Sequence, residues 1–195
     1  MPSIDVKKRR IDSKIVYYGA GHSGKSENLK RIYEHLDAEH RGRLTSLPTK
    51  GNPSLYIDVL PVRFGTILGF QTTFHLCSGP GQALALNTRK LLLRDTDGIV
   101  FVADCRASRR EANMDSMHEL RQVLAEYGLD LAAIPHVIQY NRRDVPDCLS
   151  VAELRSELNT SGVPEFEASL ATGEGVLETL RAIIRSVSED LQKRL

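Results

Sequence analysis

The feature that most constrains the fold is an eight-residue loop, Gly19 to Ser26, with the pattern G-x-x-x-x-G-K-S. It follows the apolar segment Ile15–Tyr18 and precedes a segment with helical periodicity. Glycines let several N–H groups converge on one anion, and the following helix directs its positive end to the same place. The loop therefore predicts a P-loop domain that binds a nucleoside diphosphate or triphosphate. In this pattern the Lys25 ammonium reaches the β- and γ-phosphates and the Ser26 hydroxyl binds Mg²⁺. The predicted contacts are Gly19, Gly21, His22, Ser23, Gly24, Lys25 and Ser26.

Strand-like and helix-like segments alternate along the chain, which predicts a single α/β domain with a mostly parallel sheet of six or seven strands and helices on both faces. We assign residues 13–195 to this domain and residues 1–12 to an N-terminal arm. Ligands of such folds bind at the carboxyl ends of the strands. The predicted strands are Ser13–Tyr18, Leu55–Val62, Phe70–Cys77, Gly98–Asp104, His136–Asn141 and a short one near Phe166–Ser169. The predicted helices are Ser26–Ala38, Glu111–Tyr127, Ser150–Asn159 and Gly175–Leu191.

Composition and charge mainly exclude classes of partner and location. The formal charge of +1 gives no electrostatic reason to expect a nucleic-acid partner. No apolar run approaches the roughly 18 residues of a membrane span, and the chain ends carry no lipidation motif. The cysteines, Cys77, Cys105 and Cys148, lack metal or redox spacing and are interpreted as reduced thiols. We therefore expect a cytoplasmic protein without a membrane anchor of its own.

The segment Asn141–Asp144 (N-R-R-D) follows the predicted strand His136–Asn141, where GTP-binding proteins have N-K-x-D. A carboxylate at Asp144 can accept two hydrogen bonds from guanine, whereas adenine would leave it unpaired; such mismatches support discrimination of about 10⁴ or more. The alternative is a turn aspartate before Pro146. Arg142 replaces the lysine of the motif; an arginine can stack on a purine, but we expect the exchange to weaken binding. A further base-contact loop is predicted around Ala171, where the usual S-A-K signature is poorly matched.

With these motifs the chain resembles the small Ras-like GTPases, and within them the bacterial MglA proteins of cell polarity and gliding motility. The resemblance implies that GTP switches two loops, here roughly Arg43–Ser54 and Ser78–Asn87, and that the GTP form gathers at a cell pole with its partners. It also implies a dimeric roadblock-type regulator, MglB, that speeds hydrolysis. The stretches that carry the resemblance are Lys14–Gly19, Arg89–Leu91, Asp97–Asp104, Glu111–Met114 and Val137–Asn141.

Part of a hydrolysis site is predicted next to the phosphate loop. Gln82 matches the glutamine that positions the attacking water, Gly81 would donate its N–H to the γ-phosphate, and Gly21 leaves room for that glutamine. A solvated turn residue is the alternative for Gln82. Ser78 occupies the usual place of the Mg²⁺-associated aspartate, so Asp58 is the substitute carboxylate unless it is an outward residue of an edge strand.

The first switch departs from the family. Pro53 and Ser54 occupy the places of an arginine and a threonine; Ser54 still offers a hydroxyl to Mg²⁺ and an amide to the γ-phosphate, but Pro53 cannot supply a catalytic arginine. Loss of such an arginine costs about 10³–10⁵ in rate, so we expect very slow intrinsic hydrolysis. Arg41, Arg43 or an arginine from a partner are open replacements.

Two further features bear on the function. Glu27 places a negative charge beside the phosphates, which suits the helix dipole but not the anion. The apolar segment 82–86 either docks a partner or packs beneath its own loop. The leading hypothesis is a GTP-regulated switch. The alternative is a non-hydrolysing nucleotide-binding scaffold that acts only through partners, and a P-loop kinase or ATPase is a weaker third.

Overall fold

The computed structural model describes residues 2–49, 52–80 and 86–194, apart from the side chains of residues 52–54. Its centre is a single eight-stranded sheet with the strand order β3-β4-β5-β2-β6-β7-β8, and β1 pairs separately with β2. The strands are β1 (Ser3–Asp5), β2 (Arg10–Tyr18), β3 (Thr45–Thr49), β4 (Asn52–Ile67), β5 (Phe70–Ser78), β6 (Gly98–Asp104), β7 (His136–Asn141) and β8 (Glu165–Glu167).

The sheet is mostly parallel, as predicted. β2 lies at its centre between β5 and β6 and is parallel to both, and β7 and β8 continue the parallel order. The exceptions are β1, β3 and β4, which pair antiparallel with their neighbours. The carboxyl ends of β2, β6 and β7 therefore meet at one edge, where the predicted motifs lie.

Two short strands that were not predicted, β1 and β3, give the sheet eight strands where six or seven were expected. β1 pairs with Arg10–Asp12 at the start of β2, on the side that β6 leaves open because β6 begins to pair only at Ile15. β2 thus starts three residues before its predicted position, and part of segment 1–12 joins the sheet. The division of the chain at residue 12 stays a prediction.

Five helices cover the two faces of the sheet. Successive side chains of β2 point to opposite faces of the sheet. Ile15 and Tyr17 belong to one apolar core, and Val16 and Tyr18 belong to the other. α1 and α5 pack on the first face, and α3 and α4 pack on the second. The helices are α1 (Lys25–His35), α2 (Leu86–Leu93), α3 (Arg110–Glu126), α4 (Val151–Leu158) and α5 (Val176–Arg194).

Local sequence signals were enough to predict the start of one helix but not the existence of another. Ser150 caps α4 and forms the predicted capping box with Glu153. α2 was not predicted, because its eight residues carry no capping pair and lie next to a presumed switch loop. Within the described residues, no helix is both long enough and apolar enough to span a membrane.

The prediction of three reduced cysteines is wrong for two of them. Cys105 and Cys148 form a disulfide that joins the end of β6 to the loop before α4, while Cys77 is free and buried. The bridge could not be read from the sequence because 43 positions separate the two residues. They meet because Arg106 and Cys148 form an antiparallel bridge at the carboxyl edge of the sheet.

Candidate nucleotide-binding site

The phosphate loop connects β2 to α1 and needs glycine at both of its ends. Gly19 has φ 147°, and a Cβ there would lie 2.2 Å from the Val102 carbonyl oxygen of the neighbouring strand β6. Gly24 caps α1 with φ 102°, and a Cβ there would lie 2.3 Å from the Asn141 amide nitrogen. The spacing of the motif thus follows from backbone packing against β6 and the end of β7.

Lys25 is held inside the loop. Its ammonium donates to the carbonyl oxygens of Gly19 at 3.0 Å and Ala20 at 2.6 Å. Burial lowers the pKa of Lys25 to about 8, and the nearby positive charge of Arg89 contributes in the same direction. A buried ammonium without a carboxylate in hydrogen-bonding contact favours an anionic ligand.

Three side chains at or after the carboxyl ends of β6 and β7 hold the next three carbonyl groups of the phosphate loop. These bonds fix the peptide units of the loop before any ligand binds, because a peptide unit is planar and trans. Within the loop, the Ser23 N–H donates to the Ala20 carbonyl at 3.3 Å. The bonds run from Arg109 Nη2 to Gly21 O (2.6 Å), from Arg142 Nη2 to His22 O (3.2 Å) and from Asn141 Nδ2 to Ser23 O (2.7 Å).

Arg142, which stands where the usual motif has lysine, anchors the phosphate loop. Besides its bond to the His22 carbonyl, its Nε lies 3.3 Å from the fully buried carboxylate of Asp104. Arg106 binds the same carboxylate through two hydrogen bonds of 3.0 and 2.6 Å. Arg142 has a left-handed φ of 68°, and its side chain is held by the His22 carbonyl and by the Asp104 carboxylate.

The predicted base-reading residues lie beside this anchor. Asp144 is exposed, and its carboxylate has no partner among the described residues. The Oδ1 atom of the fully buried Asn141 also lacks a partner in the described part of the chain. Ala171 is exposed in the loop after β8, where Arg31 fixes the carbonyls of Leu170 at 2.8 Å and Ala171 at 3.3 Å. Two unused acceptors next to a fixed loop suit a ligand with N–H donors, such as guanine.

Two of the three predicted metal ligands, Ser26 and Asp58, are connected through the hydroxyl of Ser78. Asp58 on β4 pairs in register with Ser46 on β3 and Ser78 on β5. Its carboxylate accepts from Ser46 Oγ at 2.5 Å and from Ser78 Oγ at 3.2 Å, and Ser78 Oγ lies 3.1 Å from Ser26 Oγ. β4 is not the edge strand, because β3 covers it. This row of hydroxyl and carboxylate oxygens has the chemistry that Mg²⁺ requires.

The remaining predicted site residues are exposed, lack a side-chain partner among the described residues or lie outside those residues. His22 and Glu27 are exposed at the rim of the loop, and His22 has a left-handed φ of 62°. Ser23 is buried, with a hydroxyl that has no partner among the described residues. Gly81 and Gln82 lie outside the described residues, as do Leu84 and the side chains of Pro53 and Ser54.

Arg41, one of the suggested replacements for the missing arginine, is engaged elsewhere. Its guanidinium stacks 3.6 Å from the centre of the Tyr33 ring, and its Nε donates to the Leu36 carbonyl at 2.8 Å. Arg43 is exposed. The sequence analysis missed Arg109 and Asp104, whose roles depend on how β6 lies beside the phosphate loop. The only sequence signal for either was the position of Asp104 at the end of a buried strand.

The fold and this site define a P-loop GTP-binding protein of the small Ras-like class. The chain belongs to the ADP-ribosylation factor family, whose model matches residues 5–187. It is similar along its whole length to the mutual gliding-motility protein MglA of Myxococcus xanthus, with 48% identity over 193 residues and 99% of each chain covered.

More distant relatives agree with this assignment. Human ADP-ribosylation factor-like protein 4A is 27% identical over 176 residues, which cover 87% of this chain and 80% of that protein. The GTPase Obg of Caldicellulosiruptor bescii is 28% identical over 87 residues, 44% of this chain but 20% of its own length. The chain is therefore a member of a GTP-binding switch family, and the alternative of a non-hydrolysing scaffold gains no support.

Proposed function

We propose that this chain is an MglA-type switch that binds GTP and GDP with Mg²⁺ and acts in cell polarity and gliding motility. The observation that carries the proposal is the anchored phosphate loop, whose peptide units are fixed by three side chains and which encloses the buried ammonium of Lys25. The free acceptors of Asp144 and Asn141 lie beside it and favour guanine over adenine. The similarity to MglA along the whole chain supports the biological process.

In this proposal Mg²⁺ is held by Ser26 and Ser54, with Asp58 as the nearby carboxylate. A bound Mg²⁺ would neutralise charge on the phosphates and orient them. Asp58 reaches this position through Ser78, which stands where relatives in the wider superfamily have an aspartate, and the hydrogen bond between them supports the substitution.

We further propose that hydrolysis is slow in the isolated protein and is accelerated by a roadblock-type partner of the MglB kind. Gln82 and Gly81 would position the attacking water, while Pro53 removes the arginine of the first switch. The partner would bring the chain to a cell pole from the cytoplasm. Leu91 of α2, with an exposed fraction of 64%, extends the apolar surface that such a partner would meet next to the second switch.

The guanine assignment is tested by exchanging Asp144 for alanine and titrating fluorescent GDP, GTP and ADP. We expect Asp144→Ala to lower the affinity for GDP about 100-fold or more, because two hydrogen bonds to a charged acceptor are lost, and to leave weak ADP binding unchanged. Asp147→Ala is the matched control, since Asp147 is an exposed carboxylate in the same loop. Equal GDP affinity in the two variants would show that Asp144 does not read the base.

A further inference from the structure

Arg109 contacts the phosphate loop, and within residues 2–49, 52–80 and 86–194 it forms no ion pair with a carboxylate. Its Nη2 donates to the Gly21 carbonyl at 2.6 Å, and its buried Nε has no hydrogen-bond partner among the described residues. Its neighbours in the chain behave differently: Arg106 is paired with Asp104, and Arg110 with Glu157. The donors of Arg109 that have no acceptor among the described residues suit an anionic ligand, because hydrogen bonds from a guanidinium to an anion are charge-assisted.

Positive charge is concentrated around this contact. Arg89 and Arg109 each act to lower the pKa of Lys25, whereas the exposed Glu27 acts to raise it. Arg89 is balanced by Glu119 at 2.6 Å. Arg109 has no such partner in the described part of the chain. The charge that remains lies beside the phosphate loop and favours an anion there.

A cavity next to the loop gives the Arg109 side chain access to ligand. It has a volume of about 330 Å³ and is bordered by the phosphate loop on one side and by α2 and α3 on the other. Its lining includes Ala20, Gly21, Arg89 and Arg109, together with the acidic residues Asp115 and Glu119 of α3. The guanidinium thus lies where the phosphate loop meets open space.

Arg109 is carried by a rigid part of the fold. It ends a short 3₁₀ helix, Ala107–Arg109, that continues directly into α3. The Asn113 side chain fixes the preceding turn, since it accepts from the Asp104 N–H at 3.1 Å and donates to the Asp104 carbonyl at 2.7 Å. This segment lies outside both predicted switches, so its charge is present whatever conformation the switches adopt.

We propose that Arg109 binds the γ-phosphate of GTP and so supplies, from the β6–α3 connection, a positive charge that the first switch lacks at Pro53. The proposal rests on the GTP-binding function proposed above. Gly21 is the loop residue that we expect to leave room for Gln82 beside the γ-phosphate, and a guanidinium has five N–H donors, of which the Gly21 carbonyl uses one. GTP offers a γ-phosphate oxygen to the remaining donors, whereas GDP does not. Arg109 therefore favours the GTP-bound form.

The test compares two nucleotides that differ only at the γ-phosphate. The affinities of fluorescent GDP and of a fluorescent non-hydrolysable GTP analogue are measured for the unchanged chain and for Arg109→Gln. Glutamine keeps a donor for the Gly21 carbonyl but removes the charge. We expect the affinity for the GTP analogue to fall about 10-fold or more and the affinity for GDP to change less than about two-fold, because only the triphosphate loses a charge-assisted hydrogen bond.

Two further variants complete the experiment. Arg110→Gln removes the same charge one residue later, where the side chain faces Glu157, and should leave both affinities unchanged. Arg109→Lys restores the charge and should recover part of the affinity for the GTP analogue. Measurable GDP binding by Arg109→Gln shows that this variant is folded.

Equal losses for both nucleotides would overturn the proposal, because they would assign Arg109 only to holding the Gly21 peptide. Unchanged affinities, or an equal selective loss in Arg110→Gln, would overturn it as well. Failure of the unchanged chain to bind GDP would instead contradict the proposed function, and the inference with it.

Discussion

Lys25 carries the charge that we propose for phosphate binding, and burial makes that charge sensitive to pH. The pKa of about 8 lies below the ordinary value of 10.5, because the buried ammonium loses solvation. Between these two values the unfolded chain binds more protons at this position than the folded chain. The lysine therefore opposes folding below about pH 8, and this cost is relieved as the pH rises toward 10.5.

Nucleotide binding should reverse this effect, because phosphate stabilises the charged ammonium. We predict that GDP binding takes up a proton at about pH 9 but almost none at about pH 6.5, where Lys25 is already charged. Calorimetric titrations in buffers of different ionisation enthalpy measure this uptake. Lys14→Gln is the control, because Lys14 is also partly buried but bonds the Arg94 carbonyl and not the phosphate loop. The control should keep the uptake, and its absence from the unchanged chain would refute the prediction.

At the level of secondary-structure elements, the disulfide joins the two loops that anchor the phosphate loop. Cys105 follows β6 directly, and Cys148 follows the predicted base-reading segment after β7. Their sulfur atoms lie 3.1 and 3.3 Å from the carbonyl oxygen of Arg142. The bridge thus restrains the backbone around the arginine that holds His22.

Reduction should weaken the fold measurably. For a loop of 43 residues the chain-entropy relation gives about 4 kcal/mol, so we predict that a reductant lowers the free energy of unfolding by up to this amount in urea titrations. Cys105→Ser should show the lower stability without reductant and no response to it. A count of free thiols in the denatured, unreduced protein should give one, from Cys77. A count of three would contradict the bridge.

Local patterns predicted the elements whose residues are buried periodically. The boundaries of β6 and β7 match the predicted ones, because their continuous apolar runs are typical of strands covered on both faces. β3 was not predicted, since its residues are mostly exposed and include Pro48; it forms because the edge of β4 offers a partner. Arg109 was missed for a related reason, as its contact depends on which loops the sheet order brings together. The location of the site could thus be predicted from sequence motifs. The side chains that hold the phosphate loop could be identified only from tertiary contacts.

The whole molecule places its nucleotide site and its exposed apolar switch residues near one another. Leu47 on β3 and Tyr56 on β4 are about half exposed, and Leu86 and Leu91 expose apolar side chains on α2. These residues belong to, or directly adjoin, the predicted switches. A change at the γ-phosphate can therefore alter the surface that a partner contacts.

This arrangement predicts how one surface residue affects hydrolysis. Single-turnover GTP hydrolysis should be very slow in the isolated chain and faster with a roadblock-type dimer from the same organism. Leu91→Glu should abolish the acceleration without changing GDP affinity, because it places a charge in the apolar contact surface. Leu68→Glu is the control, since Leu68 is similarly exposed at 58% but lies in the β4–β5 turn. Equal acceleration of both variants would exclude α2 from the contact.

The pairing of β3 with β4 has a consequence for self-association. β4 spans 16 residues, and β3 covers its outer side from Val59 to the start of the strand. If nucleotide exchange drew the first switch away from β4, the unpaired N–H and C=O groups would form a template for strand addition by another chain. The nucleotide would then control the availability of a β-sheet edge. In that case nucleotide exchange should make the protein prone to oligomerise through that edge.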